Sequence, residues 1–228
     1  MINSTEKTAR NNFYSFLWHA AFLALAQNFM DVDTIIPAML YEAGGNAFHI
    51  GLMTAIMVGG SSFTQLFFAP YISNKPFKKK FLLVGINSRV LSLIALGAIL
   101  FYLNQKYSSA ILLFIFFFIA VFSLSGAFAN ISYIDIIGKV IDPEKRKKLF
   151  SSRQIISGLA VFASAFLAKE LITKNDFPVN YASSFFIGGL LLLIASGGFW
   201  KIKEKTKSGI KIKGTREFLN ILKSELKQ

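Results

Sequence analysis

Six apolar runs organise the chain, at residues 13–40, 50–72, 81–103, 110–134, 149–172 and 181–200. A helix needs roughly 20 apolar residues to cross a bilayer, and every run reaches that length. The runs are joined by short polar connections, which makes neighbouring helices antiparallel. The pattern predicts an all-α membrane protein of six transmembrane helices. Residues 1–12 then form an N-terminal tail, 13–200 the bundle and 201–228 a basic linker. Gly44, Gly45 and Asn46 mark the first outer turn, and Asn74, Lys75 and Pro76 the first inner one. Asp142, Pro143 and Glu144 open the second inner loop, with room for a short helix of its own. Beyond Trp200, residues Phe218, Leu219, Leu222 and Leu226 share one face at helical spacing and predict a short amphipathic helix.

Charge fixes the orientation. The N-terminal tail carries two Lys or Arg, the connection after the second run four, that after the fourth run six with its flanks, and the C-terminal tail nine. The other three connections hold Lys106, Lys169 and Lys174, so 21 basic residues stand on one side against three on the other, with Arg89 inside a run. Cytoplasmic loops carry the Lys/Arg excess, so both termini are expected in the cytoplasm and the protein in the plasma (inner) membrane as a multi-pass chain. The net charge of +13 therefore reads as an orientation signal and an affinity for anionic membrane lipid, with no nucleic-acid partner implied. A cleavable leader ending near Ala26 is the other reading of the first run, but the apolar stretch continues to Leu40. The 25 Phe among 228 residues suit lipid-facing helices. With no Cys and two His, neither a thiolate nor a His-based metal centre is expected, and no cofactor is implied.

Polar residues inside the runs are the candidates for function, because an intramembrane charge costs about 2.5 kcal/mol or more and persists where it faces a bundle interior. In the first run Gln27, Asp31 and Thr34 fall on one helical face, beside Asn28. Asp31 and Asp33 lie about 200° apart on a regular helix, so Asp31 is the candidate for the interior. The other reading ends that helix near Met30 and leaves both carboxylates in a wet loop. Arg89 shares a face with Gly85, Ser88, Ser92 and Ala95, a small-residue surface suited to close helix packing. It is expected to point inward about 13 Å from the cytoplasmic end, where Gln65 offers a hydrogen-bond partner, while Asp31 lies too far out for a direct pair. The alternative for Arg89 is snorkelling to the inner head groups. Substrate-facing or coupling candidates are thus Gln27, Asn28, Asp31, Gln65 and Arg89. At the inner ends of the fourth and fifth runs, Asn130, Asp135 and Arg153, with Tyr133 and Gln154, are candidates for a cytoplasmic gate whose pairs break as the bundle moves. His19 and His49 read as interfacial residues. The glycines at 59–60, 188–189 and 197–198 read as close-packing surfaces, since no phosphate-loop pattern surrounds them.

No nucleophile elbow, zinc-protease motif or carboxylate cluster at metal-ligand spacing occurs, so transport suits the chain better than catalysis. Three stretches carry a family resemblance: Asp31 to Pro37 followed by His49, Ile50 and Gly51; Pro70 to Lys80; and Tyr133 to Lys139 with Asp142 to Arg146 and Phe150 to Arg153. Together they resemble the N-terminal six-helix half of a bacterial major facilitator superfamily permease. Two departures stand out. Ser73 and Asn74 occupy places where the family's loop carries Asp and Arg, and the fifth run lacks the Pro of the proton-antiporter signature. The resemblance implies transport of a small-molecule substrate by alternating access, with a second six-helix half or a homodimer completing the permease. The rival expectation is a non-transporting membrane fragment or scaffold that pairs with another half.

Overall fold

The computed structural model describes residues 4–102, 108–204, 217 and 224. Its elements are helices: α1 (Ser4–Gln27), α2 (Ile35–Glu42), α3 (Ala47–Thr54), a π-helical turn (Ala55–Gly60), α4 (Ser61–Ser73), α5 (Lys79–Tyr102), α6 (Ser108–Val140), α7 (Pro143–Lys174) and α8 (Val179–Trp200). Among the described residues, five stretches are long and apolar enough to cross a membrane: Ala47–Ser73, Lys79–Tyr102, Ala110–Val140, Pro143–Lys174 and Val179–Trp200.

The first apolar run departs from expectation. It is not one helix over 13–40: α1 stops at Gln27 and the chain resumes as α2 at Ile35. Irregular backbone at membrane depth is tolerated where its polar groups are satisfied inside protein. Here they are: the Ser184 hydroxyl donates to the Phe29 carbonyl (2.9 Å), and the Ile36 amide donates to the Asp31 carbonyl (3.0 Å). Buried Phe29 and Met30 anchor the break. The outer turn then closes at Gly44, whose φ of 89° is a conformation that a side chain rarely adopts.

Other boundaries also shift. Pro143 opens α7 directly, so the second inner connection carries no separate helix. The second apolar run is interrupted by the π-turn, whose loosened carbonyls find donors: Ser123 of α6 donates to the Met57 carbonyl (3.0 Å). The face formed by Phe218, Leu219, Leu222 and Leu226 lies outside the described residues.

The helices form an arc. α3–α4 packs on α6, α6 on α5, α5 on α8, α8 on α1, and α1 on α7. Close approach along it rests on small residues. At Gly85 an added Cβ would stand 2.8 Å from the Ala129 Cβ and 2.8 Å from the Ser125 carbonyl oxygen of α6. At Gly198 it would stand 2.6 Å from the Ser15 carbonyl oxygen of α1. Gly188 and Gly189 also touch neighbouring helices. Gly59, Gly60 and Gly197 do not, which corrects their reading as packing surfaces: nothing lies within 4 Å of a Cβ there. Two apolar cores result, one around Met39, Leu93, Leu96, Phe122 and Phe185, the other nearer the basic end around Phe16, Leu82, Ile136 and Phe199.

Candidate functional site: an arginine-bearing interior and a charged latch

Arg89 projects from α5 onto α6. Its guanidinium lies over the Phe122 ring, 4.2 Å from the centroid, and its Nε is 3.4 Å from the place a Cβ of Gly126 would take. A methyl group at 126 would meet the guanidinium at ordinary van der Waals distance. Arg89 Nε is buried and has no hydrogen-bond partner. No hydrogen bond joins it to Gln65 among the described residues, so the expected pairing is not made. Gln65 is half-buried on α4.

His19 of α1 lies beside α6, as Arg89 does. It is buried at 7% exposure and stacks on Phe199 at 4.1 Å between ring centroids, so its reading as interfacial is corrected. Tyr133 of α6 stands 6.2 Å from the His19 ring and accepts a hydrogen bond at its hydroxyl from Arg153 Nη1 (2.9 Å). One helix each thus supplies His19, Arg89, Tyr133 and Arg153 to a common region. His49, by contrast, is a cap: it and Asn46 exchange hydrogen bonds at the start of α3.

The candidates of the first run separate. Gln27 is exposed at the end of α1. Asn28 ties α1 to α7, donating to the Val161 carbonyl (2.6 Å) and to the Ser164 hydroxyl (2.8 Å). Asp31 Oδ1 accepts from the Thr34 amide (2.9 Å), the Thr34 hydroxyl (2.8 Å) and the Asp33 amide (3.1 Å). Its carboxylate therefore satisfies donors that the helix break leaves open. Asp31 and Asp33 sit in a turn, so the helical-face argument that separated them does not apply.

At the basic end, Asp135 bridges Lys78 Nζ and Lys139 Nζ, each at 2.6 Å. Lys139 also pairs with Glu204 (2.8 Å). Glu204 Oε2 accepts from the Lys78 and Lys79 amides (2.8 and 3.1 Å) and so caps α5. Lys79 Nζ returns to the Trp200 and Ile202 carbonyls (2.7 and 2.9 Å) at and just past the end of α8. Asn12 and Lys203 exchange a pair of hydrogen bonds (3.1 and 3.2 Å). The segment after α8 is thereby fastened to α1, α5 and α6. Asn130, Asp135 and Arg153 are not brought together as one gate: Asn130 is exposed, and Arg153 bonds Tyr133 while Asp135 bonds lysines. Glu204 was missed by sequence reading. Its one signal is that it is the lone acid in the Lys-rich stretch 201–216.

The model of the Major Facilitator Superfamily matches residues 17–227. The chain belongs to the Major Facilitator Superfamily. No curated protein and no solved structure matches it. The family match takes in all five long apolar helices and the C-terminal part of α1, so this Major Facilitator chain is a membrane protein of a transporter family. In it, the latch of Asp135, Lys78, Lys139 and Glu204 joins parts of one bundle, and the polar interior of His19, Arg89, Tyr133 and Arg153 lies between four of its helices.

Proposed function

We propose that the chain forms one half of a permease that moves a small solute across the plasma (inner) membrane by alternating access. The broken pair α1–α2 makes the first of six crossings over 13–200, and the tails at 1–12 and 201–228 both lie in the cytoplasm. The 21-to-3 division of basic residues supports that orientation. The basic rim attracts anionic head groups, at about 1 kcal/mol per residue near the surface. Gln27, Asn28, Gln65 and Arg89 border the solute's path, and the latch at Asp135 keeps this half rigid while it rocks.

The observation that carries the reading is the arc with its two end helices. α3–α4 and α7 each present a largely uncovered apolar face. On α7, Ile155, Leu159, Phe162 and Phe166 follow helical spacing and are 62–69% exposed. A second six-helix half, or a second copy, seated against these edges encloses the polar side chains and supplies the body against which this one moves. Vesicles holding the chain with a partner half are expected to take up solute saturably from a mixed metabolite pool, as read by mass spectrometry of the lumen. Vesicles holding cross-link-verified monomer are expected to take up none. Saturable uptake by the monomer would refute the two-body mechanism. Absence of uptake with every partner and in the homodimer would favour a scaffold.

A further inference from the structure

We propose that the interior around Arg89 and Arg153 is a binding site for a small solute bearing an oxyanion, a carboxylate or a phosphate. The proposal deepens the transport reading by naming a substrate class, and it rests on that reading only for the route of entry.

The argument is one of unbalanced charge. Arg89 has a buried Nε without a partner, and its guanidinium contacts a Phe ring and a glycine. Arg153 contacts Tyr133, through its hydroxyl at 2.9 Å and its ring at 5.4 Å. Neither arginine pairs with a carboxylate among the described residues. Both side chains are half-buried, and a partly desolvated guanidinium gains more from a paired, hydrogen-bonded anion than from a cation–π contact alone.

The bundle's own acids are committed elsewhere. Asp31 caps the start of α2, Asp135 and Glu204 are held by Lys78 and Lys139, and Glu42 accepts a hydrogen bond from the Tyr181 hydroxyl at 2.8 Å. Glu170 pairs with Lys174 on the exposed face of α7. The two guanidiniums lie along one face of α6, Arg89 against Phe122 and Gly126 and Arg153 against Tyr133, which places them on a common region. The missing counter-charge is then supplied by the solute. Arginine's planar fork matches carboxylate and phosphate oxygens two at a time, which a lysine at the same place would not do.

The test is binding, and it is independent of flux. The full chain, purified in a non-ionic detergent, is unfolded thermally while Trp fluorescence is followed. Succinate, inorganic phosphate, erythritol and choline are titrated at matched ionic strength. A saturable rise of the midpoint with succinate or phosphate is expected, with none for erythritol or choline. A response to succinate alone assigns the carboxylate class, to phosphate alone the phosphate class, and either supports the proposal. Arg89→Gln and Arg153→Gln are expected to weaken the anion's apparent Kd at least tenfold, while Lys145→Gln, on an exposed surface pair, leaves it unchanged.

If Arg89→Gln fails to fold, Arg89→Lys keeps the charge and loses the fork; an unchanged Kd in that variant overturns the proposal. So does a non-saturating midpoint rise common to all variants, or the absence of any anion response. Arg89→Met that is more stable than wild type and still responds to the anion would make Arg89 a packing residue only. Saturable anion binding without uptake in vesicles would sink the transport reading and leave this one standing. Uptake of a neutral solute without anion binding would do the reverse.

Discussion

Replacing Gly85 by Ala should loosen the bundle at the close seam between α5 and α6. The new methyl would lie 2.8 Å from the Ala129 Cβ, 2.8 Å from the Ser125 carbonyl oxygen and 2.9 Å from the Ala129 amide nitrogen. Ordinary carbon contacts lie at about 3.5–4.0 Å, so α5 and α6 must part by roughly 0.7 Å or more. Two of the three obstructing atoms are backbone, and no side-chain rotation relieves them. Overpacking of this kind costs about 1–3 kcal/mol. Removing a helix-interior glycine returns about 0.5–1 kcal/mol. The net expectation is a loss of about 1–2 kcal/mol, and Phe122 moves off Arg89 with α6. Gly158→Ala is the matched control, since nothing lies within 4 Å of its Cβ. That variant should be as stable as wild type or up to about 1 kcal/mol more stable. Unfolding by SDS titration in mild detergent, followed by Trp fluorescence, measures both. A Gly85→Ala protein as stable as wild type would mean that α5 and α6 are not seated at this distance.

Glu204→Ala removes the acceptor of the Lys78 and Lys79 amides and one partner of Lys139, and is expected to cost about 2–3 kcal/mol in the same assay, from a lost cap and a broken, largely buried ion pair. Glu204→Gln, which keeps one acceptor oxygen, should cost clearly less; equal stability of Glu204→Ala and wild type would show that the segment after α8 is not fastened. On this Cys-free background, Lys80→Cys should be labelled by a membrane-impermeant maleimide only from the cytoplasmic side, and Tyr41→Cys, 71% exposed in the last turn of α2, only from outside. Labelling of Lys80→Cys from outside would overturn the orientation.

What the sequence revealed, and what it hid, follows from the range of the interactions. Apolar run length locates helices because the bilayer imposes one dimension on all of them. Close packing at Gly85 was legible because Gly85, Ser88, Ser92 and Ala95 repeat on one face, but that α6 is the neighbour there was not. The break in the first run was half legible: Asp31, Thr34 and Pro37 are turn-forming types, but apolar residues on both sides sustain the appearance of one helix. The π-turn leaves no mark, since one extra residue per turn over 55–60 is invisible to periodicity. The partners of Asp135 were undecidable among so many nearby cations. Geometry chose Lys78 and Lys139, 57 and 4 residues away, over Arg153. The Gln65–Arg89 pairing failed because equal depth does not set rotation about a helix axis.

The most direct test of the central claim, that this bundle is one rocking half of a permease, is reciprocal accessibility. Gln27→Cys lies at the exposed end of α1 next to the break, and Asn130→Cys lies exposed toward the basic end of α6. In vesicles holding the chain with its second half, each is labelled by a membrane-impermeant maleimide with and without saturating transported solute. Alternating access predicts that the solute changes the two labelling rates in opposite directions, as one side closes and the other opens. Rates that move together, or that ignore a solute shown to be taken up, would contradict the account.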